Sequence, residues 1–272
     1  MNELLKRTLS GIVFAAIVIG FIYSGALGLL IICLVLNIVG LREFLQLRGY
    51  RDTKDPLFYF LLIMISILSL LHFSSPFRVM ESQKTAALAI PAILALVYIL
   101  VALWKKGLEA YSSIADGVFA LVYINMPLIL FQQFAQQDGY SWQRAMLPLL
   151  LVWSSDTFAY LSGRWLGKTP LYPSLSPKKT IEGFIGGTVL TAALGAVLCY
   201  VWDLSGPVSG LILGLAVSTF GTAGDLFESA LKRNAGVKDS GNLIPGHGGV
   251  LDRFDAFFFV CVVVWIWNHI GL

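Results

Sequence analysis

Nine stretches of about 20 mostly apolar residues follow one another along this chain, and about 20 residues is what one helix needs to cross the roughly 30 Å hydrocarbon core of a bilayer. They fill the approximate windows 8–24, 25–47, 57–73, 86–104, 114–134, 144–163, 181–204, 209–231 and 252–271. With 57% of the 272 residues hydrophobic and 13% charged, and a mean hydropathy of +0.78, so much apolar surface has no place in an ordinary soluble core. The expectation is an all-α, polytopic integral membrane protein with about nine transmembrane helices. The first window is too long for a removed signal peptide and lacks a small-residue cleavage site, so it counts as a span although Lys6 and Arg7 precede it.

The basic residues give the orientation. With nine spans and a cytoplasmic N-terminus, all of the 19 lysines and arginines except Arg78, Lys84 and Arg144 fall on the cytoplasmic side, as the positive-inside rule requires. One span more or fewer breaks that sorting. The expected location is the inner (plasma) membrane of the cell. Cys33, Cys199 and Cys261 lie inside apolar windows without CxxC spacing, which suggests packing residues and neither a zinc site nor a disulfide framework.

Polar residues divide the chain in two. Residues 1–140 read as a scaffold of transmembrane helices joined by short loops, while residues 141–272 carry two long polar loops, 164–180 and 232–250. Both loops are cytoplasmic in this topology and can converge on one site. Pro91, Pro127 and Pro148 fall within spans, where kinks are expected.

The eighth window repeats Gly210, Gly214, Ser218 and Thr222 at every fourth position, a small-residue ladder that admits a neighbouring helix closely. Asp225, Glu228 and Lys232 continue near that stripe at spacings of three and four. A charged aspartate within a span costs about 2.5–3.5 kcal/mol on insertion scales and needs a partner, water or an ion. For Asp225, the structural alternative is an ion pair with Lys232 or Arg233.

The stretch NLIPGHGGVLDRFD, residues 242–255, stands at the entrance of the last window. Pro245 stiffens a turn, and Gly246, Gly248 and Gly249 allow backbone conformations closed to other residues. Asp252 sits where exposed backbone N–H groups favour a carboxylate, with Asp255 on its face. The pairs Asp225 with Glu228 and Asp252 with Asp255 are hard oxygen donors suited to Mg²⁺. Around them stand Lys232, Arg233, Lys238, His247 and Arg253, and on the other loop Arg164, Lys168, Lys178 and Lys179. Singly, each reads as a membrane-boundary anchor, and His247 as a hydrogen-bonding loop residue. Together with the carboxylates and the glycine-rich backbone they are the parts that position a polyphosphate. Asp156, another acid within a span, is expected to face the same polar cavity. Ser176 precedes Pro177 and reads equally as a substrate contact or as an N-cap with the first helical residue. Gly183 and Gly187 form a GxxxG pair suited to helix packing.

The run SALKRNAGVKDSGNLIPGHGGVLDRFD, Ser229–Asp255, closely resembles the signature of the phosphatidate cytidylyltransferases, or CDP-diacylglycerol synthases, in its S-x-x-K-R, K-D and H-G-G-x-x-D-R-x-D pieces. The upstream D-T-x-A-Y, G-R-x-x-G-K and S-P-x-K-T-x-E-G pieces, from Asp156 to Gly183, are similar to that family too. The resemblance is specific over roughly the last 130 residues, and the N-terminal half agrees only in hydrophobic character.

The resemblance implies that CTP and phosphatidic acid become CDP-diacylglycerol and pyrophosphate at the cytoplasmic face, in a homodimer of all-helical protomers embedded among membrane lipids. It also implies Mg²⁺ on Asp225 and Asp252, and the residues beside them read as room for a second cation, with Asp255 or Glu228 as an inner or outer ligand. Asp225, Asp252, Lys238 and Arg253 are then the expected catalytic residues. Asp156, Arg164, Lys168, Ser176, Lys178, Lys179, Lys232, Arg233, Asp239, His247, Gly248 and Gly249 are the expected substrate contacts. The competing readings are a CTP-dependent kinase or a cytidylyltransferase of another membrane lipid, and a transporter of an anionic solute. A transporter often carries paired broken helices from two repeats, whereas here the polar chemistry is confined to one half.

Overall fold

The computed structural model describes residues 3–50, 110–243, 246 and 248–270, with isolated positions between 51 and 109. Apart from those positions, the expected spans 57–73 and 86–104 lie outside the described residues, as do Pro91, Arg78, Lys84, His247 and the side chains of Lys6 and Arg7. The protein is mostly helical, and the chain forms two compact units. One comprises Met1–Tyr140 with Ser240–Leu251, the other Ser141–Asp239 with Asp252–Leu272.

In the first unit, α1 (Glu3–Tyr23) and α2 (Ala26–Leu47) are joined by Ser24 and Gly25 alone, a link so short that it makes antiparallel neighbours. Gly25 turns the chain at φ +99°, a conformation that a side chain disfavours. Helix α3 (Ala110–Ala120) passes through a π-helical turn, Leu121–Asn125, into α4 (Met126–Gln136). The wide turn ends two residues before Pro127, whose ring and missing N–H forbid a regular ladder there. Leu29, Cys33, Phe44 and Leu45 of α2 and Leu128, Phe131 and Phe134 of α4 are buried in the core of this unit. Phe44 stacks on Phe119 with ring centroids 5.6 Å apart. Beside that stack, Asp116 accepts from Arg48 at 2.8 Å and from the Tyr50 hydroxyl at 3.1 Å.

The second unit begins with α5 (Trp142–Leu166), whose N-cap Ser141 accepts from the Arg144 N–H at 3.2 Å and which contains Pro148. A two-stranded antiparallel hairpin follows, β1 (Pro170–Tyr172) with β2 (Ser176–Thr180). Helices α6 (Ile181–Val201), α7 (Pro207–Asn234) and α8 (Leu251–His269) complete the order, Leu251 being the one residue of α8 in the first unit.

The ladder on α7 makes backbone contact with α6. A Cβ on Gly210 would lie 2.4 Å from the Gly195 carbonyl oxygen, and one on Gly214 the same distance from that of Thr191. Gly183 and Gly187 play the same part between α6 and α5, each having Ala159 atoms within 2.8 Å of where a Cβ would stand. Among these helices runs a chain of hydroxyls, Ser155 to Ser218 at 2.9 Å and Ser218 to Thr188 at 3.0 Å. Such groups satisfy one another where no water reaches.

Among the described residues, four helices are long and apolar enough to cross a membrane by length and composition: Ala26–Leu47, Ile114–Gln136, Ile181–Val201 and Pro207–Asn234. Thr8–Tyr23 is a shorter apolar helix, and the windows beginning at 144 and 252 are also helical, as α5 and α8.

Three local expectations are corrected. The all-α reading misses the hairpin: Pro170, Pro173 and Pro177 lie within eight residues and exclude helix from that stretch. The N-cap reading of Ser176 fails for the same reason, since Ser176 lies in β2 and the cap of α6 is Thr180, which accepts from the Gly183 N–H at 3.2 Å. The loops are also shorter than expected, because α5 runs to Leu166 and α7 to Asn234.

Candidate active site

Acidic residues gather where α7 and α8 cross. Gly224 has no room for a side chain, as a Cβ there would lie 2.7 Å from the Asp255 carbonyl oxygen. The two backbones therefore touch beside Asp225, and the Asp255 carboxyl lies within hydrogen-bonding reach of that of Asp225 and electrostatic reach of that of Glu228. One turn beyond Glu228, the Lys232 ammonium pairs with the fully buried Glu228 carboxylate and, at 2.6 Å, with Asp252, whose side chain is 5% exposed. A single cation thus joins carboxylates of two helices. The first pairing is an i,i+4 contact legible from spacing, whereas the second closes 20 residues of chain.

A second lysine reaches the cluster from the hairpin. Side chains alternate along a strand, so Lys178 is exposed while Lys179 turns inward to Asp225 at 2.6 Å. The base of the hairpin is closed by Glu182, whose carboxylate accepts from the N–H groups of Lys168 at 3.0 Å and Thr169 at 3.1 Å. The Ile181 N–H completes the clasp by donating to the Thr169 carbonyl at 2.9 Å.

The expected alternative partners of Asp225 are engaged elsewhere. Lys232 faces Glu228 and Asp252, and Arg233, a further 100° around the helix, donates to the Val237 carbonyl at 3.1 Å. On α5, Asp156 is exposed and within electrostatic reach of Lys179, Asp225 and Arg253.

Asp156, Asp225, Glu228, Asp252 and Asp255 outnumber the lysines among them. An excess of hard oxygen donors fits a divalent cation such as Mg²⁺. Among the described residues, no three histidine, cysteine or acidic side chains are drawn together as a ready ligand set, and lysines sit against the carboxylates instead. Arg164, Lys168, Lys178, Arg233, Lys238, Asp239 and Arg253 are exposed, and Ser176 is half-buried on β2.

The rest of the signature, Ser240–Leu251, belongs to the first unit. Gly246 and Gly248 adopt φ of +78° and +84°, the freedom expected of them. Sequence reasoning missed the residue that holds this segment. Glu43 of α2, 5% exposed, accepts from the backbone N–H groups of Val250 and Leu251 at 3.0 and 2.9 Å and from the Ser240 hydroxyl at 3.1 Å. A signal for it existed: Glu43 is an acid inside the apolar window 25–47, just as Asp156 is inside its own.

Comparison with known proteins decides the family, for the model described as Cytidylyltransferase family matches residues 5–270. The chain belongs to the cytidylyltransferase family. This cytidylyltransferase is 33% identical to the phosphatidate cytidylyltransferase of Bacillus subtilis (strain 168), over 96% of each chain. It is 33% identical to the protein of that name from Staphylococcus aureus (strain COL) and 34% identical to the one from Staphylococcus epidermidis, in each case over 93% of this chain and 95% of the relative. The resemblance read from Ser229–Asp255 is borne out, and it extends into the N-terminal half, where the sequence alone offered only hydrophobic character. This cytidylyltransferase is an enzyme and a membrane protein.

Proposed function

We propose that this cytidylyltransferase transfers cytidylate from CTP to phosphatidic acid, giving CDP-diacylglycerol and pyrophosphate in phospholipid biosynthesis. The observation that carries the reading is the likeness to phosphatidate cytidylyltransferases along nearly the full length of both chains. The junction of Asp225, Glu228, Asp252 and Asp255 at the two ends of the signature run supports it. A phosphatidate oxygen attacks the α-phosphorus of CTP in line. The new oxygen–phosphorus bond forms as the bond to the bridging oxygen breaks, and pyrophosphate leaves with that electron pair.

The nucleophile is already an anion, so no strong base is needed. The obstacle is repulsion between two anionic reactants. Lys179 and Lys232, held on carboxylates in the free protein, can turn to phosphate oxygens as substrate enters and meet charge where it develops. Lys238, Arg253 and His247 steady the triphosphate, with Asp239, Gly248 and Gly249 beside them in sequence. Arg164, Lys168, Lys178 and Arg233 attract the anionic substrates, and Ser176 and Asp156 line the approach. Asp225 and Asp252, with Asp255 or Glu228, would hold Mg²⁺, alone or with a second cation. Bound there, the ion supplies positive charge to the phosphate oxygens.

The topology proposed is nine spans with the N-terminus in the cytoplasm, in the inner membrane, with residues 141–272 as the catalytic region opening to the cytosol. The charge sorting across the loops supports this arrangement. The functional assembly proposed is a homodimer.

Product analysis with the purified protein, Mg²⁺, phosphatidic acid and CTP labelled at the α- or γ-phosphate tests the reading. Label from the α-position is expected in lipid, with pyrophosphate released and no turnover in EDTA. Transfer of γ-label alone would identify a kinase instead. Asp252→Asn is expected to abolish product formation, and full turnover by that variant, folded, would remove Asp252 from the site.

A further inference from the structure

Glu43 is a carboxylate where hydrophobic packing alone would call for leucine. Its Oε1 accepts from the Val250 N–H, and its Oε2 from the Leu251 N–H and the Ser240 hydroxyl. Both ends of the segment Ser240–Leu251 are therefore gathered onto one side chain. The glycines near those ends leave it just enough room. A Cβ on Gly241 would stand 2.6 Å from Oε1, and one on Gly249 would stand 2.4 Å from Oε2 and 2.3 Å from the Ser240 hydroxyl.

Leu251 is the first residue of α8, and an N–H in that position has no acceptor within its own helix. The Glu43 carboxyl satisfies it at the positive end of the helix dipole. A carboxylate withdrawn from water is tolerated only where donors surround it, and packing a loop against a helix requires none. The specificity of three donors and two close glycines indicates that a defined backbone conformation is being held.

We propose that Glu43 is a positioning residue: its carboxylate fixes Ser240–Gly241 and Gly249–Leu251 of the signature in the conformation that turnover requires. Leu251 is followed directly in the chain by Asp252. The catalytic half of this inference rests on the reading of the protein as a lipid cytidylyltransferase, and the conformational half does not.

The experiment uses the full chain in lipid nanodiscs and compares wild type with Glu43→Gln, Glu43→Leu and Ser240→Ala. The first readout, amide hydrogen exchange over residues 240–254, is independent of activity. Glu43→Gln replaces one of the two accepting oxygens by an NH2 group, so exchange should speed by about 10- to 100-fold at whichever of the Val250 and Leu251 N–H groups faces it. The second readout is kinetic, with CTP and phosphatidic acid. A misplaced segment should lower kcat per folded molecule by about 10- to 100-fold while KM for either substrate changes by less than about threefold. Glu43→Leu, which fills the space without accepting a hydrogen bond, should fall at least as far. Ser240→Ala, which keeps both backbone contacts and frees only the first end of the segment, should lower kcat by less than Glu43→Gln does.

A Glu43→Gln protein with unchanged exchange and unchanged kcat would overturn the proposal. So would a Glu43→Leu protein with normal kcat per folded molecule, for that result reduces Glu43 to packing. Should Glu43→Leu fail to fold, Glu43→Gln still decides. Should wild type make no CDP-diacylglycerol, the functional reading fails by itself, and the exchange comparison still tests whether Glu43 holds the segment.

Discussion

Removing the Lys232 ammonium tests the centre of the candidate site. Its nitrogen lies 2.6 Å from an Asp252 oxygen, which at an effective dielectric constant of ~20 corresponds to an attraction of about 6 kcal/mol before any desolvation cost. Glu228, fully buried on the same helix, adds a second such contact. The desolvation of all three groups offsets much of this attraction. What an experiment reads is the cost of leaving buried carboxylates without their cation, about 3–5 kcal/mol for a buried pair.

Lys232→Met should therefore lose about that much stability at neutral pH, followed by tryptophan fluorescence during unfolding in mixed micelles with EDTA present. The matching double-mutant cycle adds Glu228→Gln, which removes one of the stranded charges. The double variant should be more stable than the sum of the single losses by about 1–3 kcal/mol. If Lys232→Met unfolds within about 0.5 kcal/mol of wild type, or if the two losses simply add, the shared ammonium is not what holds α7 and α8 together here.

Gly214→Val would set side-chain carbons against the Thr191 carbonyl, 2.4 Å from the Cβ position. The loss expected is about 1–3 kcal/mol or more, as for an overpacked core, read as a lower thermal midpoint in detergent. Thr180→Ala removes the cap of α6 and should cost about 1 kcal/mol, measured by the same thermal scan. Lys179→Met should reduce kcat/KM for CTP and phosphatidic acid at least about tenfold more than Lys178→Met, because only Lys179 lies against Asp225. The opposite order would show that the ion pair has no part in turnover.

Much of the second unit was legible because it follows from spacing. The four-residue ladder of α7 predicts a close helix neighbour, and α6 is pressed against it. The i,i+4 step from Glu228 to Lys232 allows their pairing, although the sequence reading sets Lys232 against Asp225. The contacts that complete the site were not legible, since each joins residues far apart in the chain. Lys232 with Asp252 and Lys179 with Asp225 depend on helix crossings and on a hairpin that no apolar periodicity announces. In that hairpin the prolines carried the information, and reading Ser176–Pro177 as a helix start overlooked Pro170 and Pro173 upstream. Glu43 was overlooked for a different reason. Its window is otherwise hydrophobic, and a single acid without polar neighbours in sequence does not mark its distant partners.

At Gly195, Gly210 and Gly214 the seam between α6 and α7 brings backbone against backbone. With Gly210 and Gly214 against opposing backbone, neither helix can roll about its own axis without collision. Lys179 is joined to the start of α6 through Thr180, and Asp225 rides on the far part of α7, about 16 Å along the helix from Gly214. The seam thus works as a ruler, setting the separation of two charges from a place that neither charge touches.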